Sequence, residues 1–267
     1  MKKKSIQFYE TTLSYQIWGD GAAIVLLHGF AEDHTVWHKQ IEYLSEDYKV
    51  ITIDLFGTGN SKHLNKPVVE IADYAAAIKQ IVDEEQIEKC ILLGHSMGGY
   101  IALSYCDQYP NDLLGLGLIH STIFNDDASK IMMRKKSIQF IQAHGAAAFL
   151  KTSVPDLFYD VEKSKEYIDA IIKKGSNISP ATLVQYYEAM MRREDYTKQL
   201  ASWNIPYLFI CGKHDKAVPY HHSLKQITIG ATVWFTILKN SAHMGFLEEP
   251  ELTQKEISAF IHYCLSK

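Results

Sequence analysis

Short, mainly apolar runs, typical of buried strands, recur along this chain. They lie at residues 23–27, 49–53, 90–93, 114–120, 205–211 and 232–238. Residues 5–18 alternate in character around Thr11 and Thr12, which predicts an antiparallel hairpin of two further strands. Residues 67–87 repeat apolar side chains at helical spacing, with charges on the opposite face. Because strands and helices alternate, we predict an α/β fold with a mostly parallel, eight-stranded sheet flanked by helices on both faces.

The alternation stops between residues 121 and 203, where the sequence contains no convincing strand. Helical segments with polar faces follow one another there, at residues 127–144, 146–150, 161–174 and 180–193. We interpret this segment as a helical insertion that covers one end of the sheet. The predicted organisation is a core domain formed by residues 1–120 and 204–267, with residues 121–203 inserted after the sixth strand as a cap (lid).

Composition and charge exclude several classes of protein. With 47% hydrophobic residues among 267, the chain can bury a substantial core. Its 27 basic and 31 acidic residues are mixed along the chain and give a net charge of −4, so neither nucleic acid nor a membrane is an expected partner. The basic start, Met1–Lys4, lacks a following apolar signal core, and no run approaches the roughly 18 apolar residues of a membrane span. We predict a cytoplasmic protein, monomeric or homodimeric.

The cysteines and histidines give no metal-binding pattern. The four cysteines are scattered without C-x-x-C spacing, which implies neither disulfides nor zinc. The adjacent pair His221 and His222, and the nearby His214, have no accompanying carboxylate or cysteine cluster. We therefore predict no metal site.

Residues 94–98, Gly-His-Ser-Met-Gly, lie between a predicted strand and a predicted helix. They fit the G-x-S-x-G nucleophile elbow, in which a strained turn lifts the serine hydroxyl clear of the sheet. Gly94 and Gly98 make the turn possible, because a Cβ at either position would collide with the neighbouring strand or helix. Ser96 would then sit at a helix N-terminus, where free N–H donors favour negative charge. We interpret His95 as packing beside the nucleophile instead of acting as a second base.

Other polar residues follow neighbouring strands at the same edge of the predicted sheet. Asp215 comes after residues 205–211 and His243 after residues 232–238, and the carboxyl ends of parallel strands share one edge. Gly29 lets the chain bend after an earlier strand, so that the Phe30 N–H points into a cavity. Asp54 begins a glycine-containing loop, and we expect its carboxylate to accept hydrogen bonds from that loop's backbone.

Together these motifs resemble the α/β-hydrolase superfamily over essentially the whole chain. The order Ser96, Asp215, His243 matches the family's nucleophile, acid and histidine. The resemblance implies an oxyanion hole from the backbone N–H groups of Phe30 and Met97, and no metal or organic cofactor. Residues 54–61 resemble the family's D-x-x-G-x-G-x-S loop. The match is closest to small capped carboxylesterases and carbon–carbon bond hydrolases, and it differs from the dehalogenase and epoxide-hydrolase branches, which place Asp at the Ser96 position.

The resemblance implies hydrolysis of a small-molecule ester or related acyl substrate through an acyl-enzyme on Ser96. His243 would take the serine proton and later return it to the leaving group, and Asp215 would orient His243. We expect five residues to contact the substrate. Gly29 lies beside the oxyanion donor, His120 ends a strand, and Phe124, Met190 and Met191 belong to the cap. Two alternatives stay open. The same triad could cleave a carbon–carbon bond or transfer the acyl group to another acceptor, or the scaffold could serve as a ligand-binding receptor with slow or vestigial turnover.

Overall fold

The computed structural model describes residues 1–267 and contains an eight-stranded sheet in the order β1-β2-β4-β3-β5-β6-β7-β8. The strands are β1 (Lys2–Phe8), β2 (Thr11–Trp18), β3 (Ala23–Leu27), β4 (Lys49–Ile53), β5 (Cys90–His95), β6 (Leu113–Ile119), β7 (Tyr207–Gly212) and β8 (Val233–Leu238). β2 runs antiparallel to both β1 and β4, whereas every pair from β4 to β8 is parallel. The predicted fold class, a mostly parallel sheet of eight strands, is confirmed.

Ten α-helices connect and cover the strands. They are α1 (His38–Leu44), α2 (Ile71–Glu84), α3 (Met97–Gln108), α4 (Ala128–Ser153), α5 (Lys165–Gly175), α6 (Pro180–Arg192), α7 (Thr197–Ser202), α8 (Tyr220–Gln226), α9 (Gly245–Glu248) and α10 (Pro250–Leu265). None of them is both long enough and apolar enough to cross a membrane.

The central strands are buried on both faces because helices cover both sides of the sheet. All five residues of β3 and all six residues of β5 are buried, which accounts for their continuous apolar sequence. β1, at the sheet edge, is mostly exposed and carries three lysines, which discourages pairing with another chain.

Residues 121–203 contain helices and no strand. Their buried apolar side chains, including Leu150 and Tyr186, join those of the sheet in one continuous cluster. α4 is interrupted at Gly145, whose φ of 81° and ψ of 170° are not helical. This break matches the predicted boundary between residues 127–144 and 146–150. The division of the chain into a core and a cap stays a prediction.

The structure corrects two details of the sequence analysis. The turn of the first hairpin lies at Tyr9 and Glu10, and both Thr11 and Thr12 are already part of β2. The alternation of side chains did not locate the turn because no glycine, proline or asparagine marks it. The short helices α7, α8 and α9 were not predicted, since four to seven residues carry too few apolar positions to show a helical period.

Candidate active site

Ser96 occupies a strained turn between β5 and α3. Its φ of 50° and ψ of −113° are rarely adopted by residues other than glycine and cost about 1–3 kcal/mol, so the surrounding structure must hold them. A Cβ at Gly94 would overlap the backbone of Gly98, and a Cβ at Gly98 would overlap the Leu27 carbonyl. The turn therefore has the backbone geometry of a nucleophile elbow, with a half-buried serine at its tip.

The backbone N–H groups of Phe30 and Met97 donate to no protein acceptor. Met97 is the first residue of α3, where N–H groups have no partner within the helix. The loop before Phe30 is fixed by Gly29, whose N–H donates to Glu32 Oε2 at 2.6 Å. A Cβ at Gly29 would lie only 2.8 Å from His95 Nδ1, so this approach requires glycine. Both free donors suit the oxyanion role that the family resemblance implies.

Asp215 and His243 are hydrogen-bonded to each other at the carboxyl edge of the sheet. His243 Nδ1 lies 2.8 Å from Asp215 Oδ2, and Asp215 Oδ1 accepts the N–H groups of Ala217 and Val218 at 2.8 Å each. Burial alone would raise the pKa of Asp215, but His243 and then His120 hold it below its ordinary range. The carboxylate therefore stays ionised and orients the His243 ring. No hydrogen bond joins this ring to the Ser96 hydroxyl, a contact that often tightens only when substrate binds.

His120 lies behind Asp215 instead of facing a substrate. It is fully buried, has a positive φ of 49°, and places Nδ1 3.4 Å from Asp215 Oδ2. Its Nε2 accepts the Gly245 N–H at 3.1 Å, so the ring proton sits on Nδ1, which lies near the carboxylate without forming a hydrogen bond to it. Burial lowers the pKa of His120 to about 4, with Asp215 opposing the shift. The predicted substrate contact by His120 does not fit this position.

The ligand atoms of His120, Asp215 and His243 lie within 4.8 Å of one another, a spacing that a metal ion could bridge. Metal binding through His120 Nδ1 would require a lone pair on that atom. The Gly245 N–H donates to Nε2, so Nδ1 carries the proton and has no lone pair to offer. This donor pattern favours the hydrogen-bonded pair of Asp215 and His243 over a metal site.

His95, next to Ser96, supports the loop that carries His243. Its Nε2 lies 3.0 Å from the His243 carbonyl and its Nδ1 lies 3.0 Å from Glu32 Oε2. A carbonyl oxygen can only accept a hydrogen bond, so His95 Nε2 carries a proton. The other ring nitrogen, Nδ1, lies against the buried Glu32 carboxylate. His95 thus connects Glu32, the Gly29 loop and the backbone of His243, in agreement with a packing role instead of a second base.

Asp54 shapes the loop that follows β4, as predicted. Its Oδ1 accepts from the His34 backbone N–H at 3.0 Å and contacts His34 Nδ1 at 2.6 Å, while its Oδ2 accepts from the Asn60 N–H at 2.9 Å. Burial alone would raise the pKa of Asp54, but these hydrogen bonds and the neighbouring His34 hold it well below its ordinary range. A Cβ at Gly59 would overlap the Asp54 carboxylate, so the second glycine of the loop is also required.

A cavity of about 500 Å³ lies between the start of α4, the end of α6 and the loop after β7. It borders the triad elements at three points: Tyr100 lies one turn after Ser96, Thr122 follows Ser121, and the Val218 N–H holds Asp215. Of the predicted substrate-binding residues, only Phe124 lines it. Met190 is 2% exposed and packs in the apolar cluster, and Met191 is half-buried outside the cavity lining.

Several residues around the site were not identified from the sequence. The Ser121 hydroxyl donates to the Ser96 carbonyl at 2.7 Å, and the Glu32 carboxylate lies 3.0 Å from His95 Nδ1. Ser121 follows β6 by two residues, so the strand-end rule used for Asp215 would have found it. Glu32 carries no local signal, because its partner His95 lies 63 residues away in the chain.

The sheet order, the strained serine at the end of β5 and the Asp–His pair at the same edge define an α/β-hydrolase. The sequence profile of the serine aminopeptidase S33 family matches residues 20–250, and the chain belongs to this family. It is a hydrolase of the α/β fold.

Relatives of similar length support this assignment. An uncharacterized hydrolase, YugF, from Bacillus subtilis (strain 168) is 27% identical over 247 residues, which cover 89% of each chain. A putative carbamate hydrolase, RutD, from Agrobacterium fabrum is 25% identical over 246 residues, covering 91% of this chain and 94% of the relative. The structure of a thermophilic esterase from Thermogutta terrifontis, solved with malate bound, has a TM-score of 0.91 at 23% identity over 99% of both chains. The last comparison demonstrates a shared fold.

Proposed function

We propose that this protein is a serine carboxylesterase in which Ser96, His243 and Asp215 act as nucleophile, general base and orienting acid. The observation that carries the proposal is the 2.8 Å pairing of His243 Nδ1 with Asp215 at the sheet edge where the strained Ser96 turn also lies. A strained serine, an ionised carboxylate and a ring with its second nitrogen free are the parts that acyl transfer needs.

The proposed reaction has two halves. Ser96 Oγ attacks the ester carbonyl while His243 Nε2 takes the hydroxyl proton, and the oxyanion accepts hydrogen bonds from the N–H groups of Phe30 and Met97. The proton passes to the departing alcohol, which leaves an acyl group on Ser96. Water then attacks this acyl group while His243 takes its proton. His243 returns the proton to Ser96 Oγ as the carboxylic acid product leaves, which restores the serine hydroxyl.

In the same proposal, residues 121–203 act as a cap that selects the acyl group. The support is the contact of this segment with the oxyanion loop: Phe30 stacks on Tyr187 and meets the edge of Phe149, with centroids 6.3 Å apart. A cap joined to the loop through aromatic rings can influence the acyl position without supplying a catalytic group.

Covalent labelling tests this function. A fluorophosphonate probe should modify the wild type at one serine, Ser96, and p-nitrophenyl esters should be hydrolysed. Ser96→Ala should abolish both signals, whereas Ser104→Ala, a serine on the same helix with its hydroxyl beside Gln108, should keep them. A matched p-nitrophenyl carbamate separates ester from carbamate specificity. Labelling that survives Ser96→Ala, or carbamate turnover far above ester turnover, would contradict the proposal.

A further inference from the structure

The 500 Å³ cavity, whose lining includes Tyr100, Thr122 and Val218, contains more positive than negative charge. Four cationic side chains line it (Lys130, Arg193, Lys216 and Lys225), against three carboxylates (Asp126, Asp127 and Asp195). Four of these charges, on Asp127, Asp195, Lys216 and Lys225, are exposed to solvent, which screens them strongly. The net charge that a ligand would meet inside the cavity therefore depends on the buried and half-buried charged groups.

Asp126 is shared between two buried arginines. Its Oδ2 lies 2.6 Å from Arg134 Nε and its Oδ1 lies 2.8 Å from Arg193 Nη1. The exposed fractions of the two arginine side chains are 7% and 4%. One carboxylate thus faces two buried guanidinium groups. Arg193 also stacks on the Tyr100 ring at 4.1 Å and donates to two backbone carbonyls, but its Nε is buried without any hydrogen-bond partner. The cluster therefore carries a net charge of +1, which the Tyr100 ring and the backbone carbonyls offset only in part.

Lys130 adds a further cation that forms no ion pair. It lies on the first turn of α4, is half-buried, and its ammonium donates to the Ala217 carbonyl at 2.8 Å without forming an ion pair. Burial, and then the charge of Arg134, hold the pKa of Lys130 below its ordinary value. An ammonium has three N–H donors, so Lys130 retains donors for a ligand that enters the cavity.

We infer that this cavity binds the carboxylate of a substrate whose acyl chain ends in a negative charge, with Lys130 as the main contact and the Arg134–Asp126–Arg193 cluster as a fixed positive background. The inference rests on the proposed esterase function, because the cavity borders the triad elements at Tyr100, Thr122 and Val218. The substrate carboxylate would balance the excess positive charge of the cavity. The ester end of the acyl chain would then be directed toward Ser96.

Two matched esters test the inference. One is the mono-p-nitrophenyl ester of adipic acid, and the other carries an isopropyl group in place of its free carboxylate. We expect the wild type to favour the acid by at least about tenfold in kcat/KM, as a charge-assisted hydrogen bond would give. Lys130→Met should reduce this ratio to within about twofold, and Lys136→Met, an exposed residue on the same helix, should preserve it. Equal use of both esters by the wild type would overturn the inference, as would an equal loss in both variants.

A binding measurement keeps the inference testable if neither ester is turned over. Titration calorimetry should detect adipate, but not neutral adipamide, in the wild type and in Lys136→Met, and should lose adipate binding in Lys130→Met. Inorganic phosphate serves as a second anion. Binding of phosphate without adipate, or binding of neither, would overturn the carboxylate assignment. Failure of the proposed function is distinguishable, since it would abolish fluorophosphonate labelling of Ser96 while leaving adipate binding unchanged.

Discussion

Replacing Asp54 with asparagine should lower the stability of the protein far more than its catalytic rate. The carboxylate of Asp54 has two pairs of contacts, one on Oδ1 with His34 and one on Oδ2 with the backbone and side-chain nitrogens of Asn60. An asparagine keeps one oxygen as an acceptor, but its NH₂ group faces the donors of either His34 or Asn60 and cannot accept from them. Two charge-assisted hydrogen bonds are lost, each contributing about 1.5 kcal/mol or more, so the free energy of unfolding should fall by about 3 kcal/mol.

Thermal unfolding measures this loss directly. For a domain of this size, about 3 kcal/mol corresponds to a decrease in Tm of about 6–12 °C. At a temperature where both proteins are folded, Asp54→Asn should keep kcat within about tenfold of the wild type. Asp215→Asn, which removes the orienting charge beside His243, should lower kcat by about 10⁴-fold. If Asp54→Asn lost activity to the same extent at unchanged Tm, the assignment of the two carboxylates would be refuted.

The same variant has a pH signature. Because the pKa of folded Asp54 lies below the roughly 3.9 of an unfolded chain, its stabilisation is fully present above that value and is lost as the pH falls through the folded pKa. The difference in unfolding free energy between wild type and Asp54→Asn should therefore be constant from about pH 5 to 7 and should shrink in more acidic solution. A difference that grows toward low pH would contradict the ionised, hydrogen-bonded carboxylate.

Three further predictions concern the elbow, the residue behind the acid, and the cavity. Gly98→Ala forces a Cβ into the Leu27 carbonyl, so labelling of Ser96 should be lost; a folded variant that labels at the wild-type rate would contradict the close approach. His120→Phe removes the donor facing Asp215 and leaves its charge more available to the His243 imidazolium, so the acidic limb of the kcat/KM profile should move to higher pH by up to about one unit; an unchanged limb in a folded variant would refute this positioning role. Phe124→Ala should change the preference between short and long acyl esters by about 1–3 kcal/mol without affecting Ser96 labelling, and equal kcat/KM ratios before and after the change would show that Phe124 does not contact substrate.

Most of the fold was predictable because its determinants are local. The apolar runs of β3 and β5 and the glycines around Ser96 report burial and turn geometry within a few residues. The break at Gly145 was recognised for the same reason. Strand ends then placed Asp215 and His243 at one edge without any knowledge of their contacts.

The remaining features depend on contacts between distant parts of the chain. Glu32 reaches His95 across 63 residues, and His95 reaches the His243 carbonyl across 148. His120 was correctly placed at the sheet edge, but only the structure shows that its two ring nitrogens face the Gly245 N–H and the Asp215 carboxylate. Sequence periodicity reports which face of an element is buried, not which partner it meets there.

The central claim is that Ser96 and His243 act as one catalytic unit, and a double-mutant comparison tests it most directly. If His243 is the only base for Ser96, removing either residue already abolishes the covalent route, and removing the second has nothing left to take away. Steady-state kcat for Ser96→Ala, His243→Ala and the double variant, with folding matched by circular dichroism, should therefore give three similar residual activities. That residual rate would come from substrate binding and the Phe30 and Met97 donors. A double variant slower than either single variant by the product of the two separate losses would show that the residues act independently, and would contradict the triad.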